Sequence, residues 1–205
     1  MNQANQKIGK QRTQGGFSLI EVMIAMVILS VGMCAVIASF AVAITATESA
    51  QEDLIARQKA LDALESIYTA RNSQQLPFVS INNVTANPPG IFASGPQSLL
   101  CAGPTYGVVG VSGDTSNCLT ASGAICPNGG VECMVLPGPN GILGDADDET
   151  LSLANFTRTI TFNPVQLPNG NVNANLIGVT VTVTYTKPNW PARSYVVNGL
   201  ISSYH

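Results

Sequence analysis

Gly15-Gly16-Phe17-Ser18-Leu19-Ile20-Glu21 joins a short basic leader to an apolar run that reaches Thr47. A basic start before an apolar stretch ordinarily reads as a secretory signal, cut behind that stretch at small residues. Here the glycine pair stands in front of it. A cut between Gly16 and Phe17 discards the leader and keeps the apolar segment. From Phe17 to Thr47 the only charged side chain is Glu21. The run is long enough to cross a hydrocarbon core of roughly 30 Å, which takes about 20 helical residues. Leu, Ile, Val, Met and Ala dominate it, Gly32 is its only helix-weakening residue, and no proline occurs before Pro77. Nothing in it breaks a helix.

Beyond Thr47, Glu48, Glu52, Asp53, Arg57, Lys59, Asp62 and Glu65 interleave with Leu54, Ile55, Leu61, Leu64, Ile67 and Tyr68. Leu54, Leu61, Leu64 and Ile67-Tyr68 recur at helical spacing, which predicts an amphipathic continuation with that stripe buried. One helix is expected from Ser18 to about Ser73, apolar all round in its first half (17–47) and amphipathic in its second (48–76). Leu76-Pro77 ends it, because the residue before proline is pushed out of the helical region. Residues 77–150 hold most of the prolines, many glycines and four cysteines. Loops with a few short strands are expected there, stiffened by disulfides rather than by a dense core. In 151–205, Phe156–Phe162 alternates apolar or long residues with threonine, and Ile177, Val179, Val181, Val183 and Tyr185 alternate with Thr180, Thr182 and Thr184. Tyr195–Val197 leading to Leu200-Ile201 makes a third run, reached through Lys187-Pro188-Asn189-Trp190-Pro191. Such alternation implies an antiparallel sheet with one buried face. The predicted class is α+β: a long N-terminal helix packed on a small antiparallel sheet.

Of 205 residues only 10% are charged, against about a quarter in an average domain, and the net charge is −3. Lys7, Lys10 and Arg12 sit in the leader, so removing it leaves a more acidic chain. Basic residues before an apolar span stay on the cytoplasmic side, which puts the C-terminal bulk outside. No basic patch interleaved with aromatics favours nucleic acid. Cys34 lies within the apolar run and reads as a small buried hydrophobe. Cys101, Cys118, Cys126 and Cys133 form an even set suited to two disulfides in an oxidising compartment, with three pairings open. Zinc is the rival for them, but no Cys-x-x-Cys spacing occurs and the only histidine is His205.

Gly16-Phe17-Ser18-Leu19-Ile20-Glu21 resembles the processing site of type IV prepilins and type II secretion pseudopilins, in its place between leader and apolar run. The resemblance covers about the first third of the chain. It implies that a prepilin peptidase cuts after Gly16, where a residue without a side chain is needed, and N-methylates Phe17. It also implies that Glu21 pairs with the freed amine of a neighbouring subunit during filament assembly. Without the resemblance, Gly16 is a linker glycine, Phe17 the first residue of the span, and Glu21 snorkels to the nearby surface, one helical turn away. The family's fold matches the α+β expectation. Its partners would be other pilin or pseudopilin subunits and an inner-membrane assembly platform. The chain would then be a single-pass inner-membrane protein with a periplasmic head, carried into a surface pilus or periplasmic pseudopilus after assembly. Ser18–Ala25 and the run behind it are similar to the PilV group of pilus modification proteins. Ala38 stands near the place where many major pilins carry a proline. Both features favour a minor pilin that initiates or modifies a type IV pilus. A minor pseudopilin of a type II secretion system shares every one of these residues. An adhesive tip module is a third reading, for which Phe78, Phe92 and Tyr106 alone establish no exposed patch.

Asp145, Asp147, Asp148 and Glu149 crowd into one acidic loop with Asn140 close by. Calcium takes six to eight oxygens from such groups, so Asn140, Asp145, Asp147 and Asp148 are candidate Ca2+ ligands. A solvated acidic turn is the alternative, since the spacing fits an EF-hand loop poorly. No catalytic residues are expected. A histidine-based nucleophile would need the terminal His205, and no phosphate-binding glycine loop is present.

Overall fold

Without a proline or a turn signal before Pro77, the apolar run and the charge-interleaved stretch share one helical period. In the computed structural model of the protein they form helix α1, Leu19–Asn72. The structure describes residues 16, 18–101, 106–113, 126, 130–187 and 190–204. It divides into two compact units, Met1–Ser49 and Ala50–His205.

In the first unit the side chains of α1 from Leu19 onward lie exposed, among them Met26, Leu29, Met33, Ile37 and Phe40. Cys34, expected to be buried, is exposed and free. The expectation placed Cys34 inside a membrane-spanning run, and among the described residues of this unit none packs over it. Its hydroxyls are satisfied locally. Ser30 donates to Val27 O at 2.8 Å, Ser39 to Ala35 O at 3.0 Å, Thr45 to Val42 O at 2.9 Å and Thr47 to Ile44 O at 2.7 Å. Such back-bonding leaves these polar groups no demand on their surroundings.

The second unit begins with the remainder of α1. The helix closes where Gln74 takes a left-handed φ of 61° and the Leu76 N–H donates to Ala70 O at 3.0 Å. A four-stranded antiparallel sheet has the order β1-β4-β5-β6, with β1 at Gln97–Ser98, β4 at Phe156–Gln166, β5 at Val172–Tyr185 and β6 at Arg193–Ser202. β2 (Cys133–Leu136) and β3 (Glu149–Ser152) form a separate antiparallel pair. Val179, Val181, Val183 and Tyr185 of β5 are buried, as their alternation with threonine requires, and so are Phe156, Ile160 and Phe162 of β4. The outer edge of β4 is covered in two ways. β1 pairs with Thr157 and Arg158. Farther along, the Asn83 side chain donates to Ile160 O at 2.8 Å and accepts from the Phe162 N–H at 3.2 Å, in place of a neighbouring strand.

Two expectations need correction. The helix stripe turned inward is Ala56, Ala60, Ala63, Leu64, Ile67 and Ala70, while Leu54 and Leu61 are 64% and 42% exposed. The alanines add little bulk to this face, and on β6 Gly199 leaves room for Leu64 and Tyr68. A Cβ there would stand 2.5 Å from Tyr68 Oη, 3.0 Å from Leu64 Cδ1 and 3.2 Å from Val179 Cγ1. The Tyr68 hydroxyl uses this approach to bond both Leu200 O and Leu200 N–H at 3.1 Å. Gly199→Ala should therefore lower the unfolding free energy by about 1–3 kcal/mol through overpacking. A fall in the urea midpoint at constant m checks this, and an unchanged midpoint contradicts so close an approach.

Residues 77–150 also contribute to the core instead of relying on disulfides alone. Ile81, Phe92, Leu99, Val108 and Val109 are buried, and the Phe92 and Phe162 rings lie 4.8 Å apart. Burial of each such side chain contributes roughly 1.5–3 kcal/mol. Because these residues sit in irregular backbone, no period announced them.

Charge is built into the same core. Arg158 occupies the inward face of β4 between Phe156 and Ile160 and is 3% exposed. Glu132, just before β2, places its carboxylate 2.6 Å from Lys59 Nζ on α1 and 3.9 Å from Arg158 Nη1. The Arg158 Nη2 also donates to Leu100 O at 3.2 Å. Burial pulls the Arg158 pKa down, while Glu132 and then Asp62 push it back up. The guanidinium stays charged at neutral pH because its ordinary value is so high. At the start of this unit, Asp53 accepts from the Tyr185 hydroxyl at 2.6 Å and pairs with Arg193 at 3.2 Å. Near the end of α1, Arg71 donates to Ser203 O at 2.7 Å beneath Phe78.

Candidate functional site

The leader junction lies directly before α1. The Ser18 carbonyl accepts from the Glu21 N–H at 3.0 Å and the Val22 N–H at 3.2 Å, which opens the first turn at a residue type favoured there. Gly16 precedes the helix and is exposed. Phe17 lies outside the described residues. A Cβ built at Gly16 meets none of the described residues within 4 Å. Among the described residues, no crowding asks for glycine at 16. A demand for it would come from a molecule that reads the junction.

Glu21 sits in the first turn of α1, where the helix dipole favours a carboxylate. Val22, Ala25, Met26 and Leu29 surround it with apolar surface. Among the described residues it has no hydrogen-bond or ion-pair partner. The hydroxyls farther along the run are satisfied by their own helix; Glu21 is not. An 18-residue window of α1 reaches a mean hydropathy of 2.6 with none of it buried, so by length and composition the helix can cross a membrane. Contiguous exposed apolar surface of this size needs lipid or other helices to cover it.

The acidic loop joins β2 to β3. Asn140 directs its amide nitrogen between two carboxylates, donating to Asp145 Oδ2 at 2.6 Å and Asp147 Oδ1 at 3.0 Å. Its own oxygen accepts from the Ile142 N–H at 2.7 Å, and Asp148 accepts from the Gly144 N–H at 2.6 Å. The Asp145 carboxyl is held below the usual carboxylate range by its hydrogen bond with Asp147 and then by Asn140. Among the described residues no three His, Cys, Asp or Glu side chains converge as metal ligands. Of the candidate calcium ligands, Asn140 thus draws Asp145 and Asp147 to its amide, while Asp148 is engaged by the Gly144 N–H. Adding a chelator is expected to leave the thermal midpoint of the chain unchanged. A lower midpoint that calcium restores would assign an ion to the loop.

Of the three cysteine pairings that the sequence left open, the structure forms Cys126–Cys133. Cys101 is also disulfide-bonded, and Cys118 lies outside the described residues. The aromatics considered for an adhesive surface are occupied elsewhere: Phe92 is fully buried, and Phe78 and Tyr106 pack against the core. Sequence reasoning missed the Lys59–Glu132–Arg158 cluster. The one available signal was Arg158 at an inward position of an alternating strand.

Residues 11–37 match the family profile described as the prokaryotic N-terminal methylation motif. That match spans the junction, Glu21 and about the first two thirds of the apolar run, and it leaves the rest of the chain unaddressed. No curated protein and no solved structure matches this chain.

Proposed function

We propose that this chain is a minor pilin that enters a type IV pilus through its N-terminal helix and helps initiate or modify the filament. The observation that carries this reading is the junction. A glycine that no described residue crowds precedes Phe17, inside a segment that matches the N-terminal methylation motif. A prepilin peptidase removes residues 1–16 and methylates the new amine of Phe17. The apolar stretch anchors the chain in the inner membrane, and the unit from Ala50 onward forms a periplasmic head that is carried outward on assembly.

Glu21 supplies the attraction between subunits. A lone carboxylate at mid-membrane costs about 2.5–3.5 kcal/mol on insertion scales, less near an interface. Pairing with the α-amine of a neighbouring chain offsets that cost only in the assembled state. Glu21→Ala is therefore expected to give a chain that is cut and membrane-bound in normal amounts but reduced about tenfold or more in sheared filaments. Wild-type amounts in the filaments would contradict the role of Glu21. The similarity of Ser18–Ala25 to pilus modification proteins and Ala38 in place of a proline support a minor subunit over a major one. Deleting the gene and scoring surface pili beside secreted enzymes separates this reading from a type II secretion pseudopilin. Lost pili with intact secretion is the expected result, and the reverse would transfer the protein to the secretion machine.

A further inference from the structure

We propose that the Cys126–Cys133 bond is a redox latch for the head, holding Glu132 between Lys59 and Arg158 so that the core closes fully only where thiols are oxidised. This concerns the unit Ala50–His205 alone and stands whether or not the chain enters a pilus. Glu132 is the residue next to Cys133, so the bond restrains the backbone that carries the carboxylate. Four segments meet at that residue. Its N–H donates to Leu99 O at 2.8 Å and its carbonyl accepts from the Leu153 N–H at 3.1 Å. Its carboxylate reaches Lys59 on α1 and Arg158 on β4.

A guanidinium as buried as that of Arg158 is tolerated only beside a well-placed counter-charge. With the bond open, Glu132 gains the freedom to turn toward water and Arg158 loses its compensation. Closing the latch is thiol–disulfide exchange. The two thiols give two electrons and two protons to a disulfide-bearing oxidant, which leaves as a dithiol. Reduction by a dithiol such as dithiothreitol reverses each of these transfers.

The full chain in detergent micelles, with Cys101→Ser and Cys118→Ser so that dithiothreitol acts on this bond alone, gives the test. Reduction should lower the thermal midpoint of the head by roughly 10 °C or more. With Glu132→Gln added, the same reduction should lower it by less than half as much. Equal lowering in both chains would overturn the proposal, because the bond would then act only by restricting the unfolded chain. Should the serine background not fold, Cys126→Ser with Cys133→Ser, made with and without Glu132→Gln in the otherwise native chain, provides the same comparison with the same two outcomes. Amide exchange below the midpoint is an independent readout. It should quicken at Glu132 and Leu153 on reduction, and unchanged exchange there counts against the latch.

Discussion

Gly16→Val is expected to leave the leader on nearly every chain while the head folds as before. The two halves of that result have separate causes. Among the described residues none lies within 4 Å of a Cβ at position 16, so the valine side chain should clash with none of them. A peptidase pocket shaped for a hydrogen meets two added methyl groups there, and steric exclusion of that kind costs cleavage roughly 100-fold or more. The uncut chain keeps Lys7, Lys10 and Arg12 ahead of the span, so it should remain in the membrane and be absent from filaments. Immunoblotting for the shift between uncut and cut forms checks the first half. The thermal midpoint checks the second. A normally cut Gly16→Val chain would remove the steric argument for the junction.

The largest loss of stability should follow from Glu132→Leu. Leucine fills space of similar size but leaves Arg158, 3% exposed, with a buried charge and without the one carboxylate that pairs with it among the described residues. Removing one partner of a buried pair costs about 3–5 kcal/mol, a large share of the 5–15 kcal/mol that typically separates folded from unfolded chains. The pair itself is a weaker source of stability than that figure suggests, since desolvating both ions opposes their attraction. The double variant Glu132→Leu/Arg158→Met should therefore recover most of the loss. Lys59, 18% exposed at its side chain, can extend its ammonium into water. Urea unfolding of the three chains measures both effects. A single variant as stable as wild type would contradict the buried pairing, and a double variant no better than the single would contradict the assignment of the loss to unpaired charge.

The parts of this fold that repeat were legible and the parts that depend on single placements were not. The helix was expected from Ser18 to about Ser73 and runs Leu19–Asn72, because the absence of proline and the arrival of Pro77 are local facts. β5 was legible for a similar reason: valine and threonine alternate along it. Its first residues, Val172 to Leu176, alternate weakly and were not read as strand. The inward stripe was misplaced because leucine dominates a hydrophobic pattern, whereas Ala56, Ala60 and Ala63 are buried by virtue of being small. Nothing in the helix sequence reveals that Gly199, more than a hundred residues away, makes room for it. The same holds for Asn83, whose amide completes the edge of β4, and for Lys59, Glu132 and Arg158, which meet only in three dimensions. At the candidate site one motif carries the reading of Gly16, Phe17 and Glu21. The structure adds that, among the described residues, none crowds Gly16 and none pairs with Glu21.

Intact-mass and N-terminal peptide analysis of the protein recovered from its native membrane reads the Gly16–Phe17 cut itself. The expected chain begins at Phe17, carries one methyl group on its α-amine and retains Glu21 and the apolar run. A chain that begins at Met1, or one cut behind the apolar run, would contradict it.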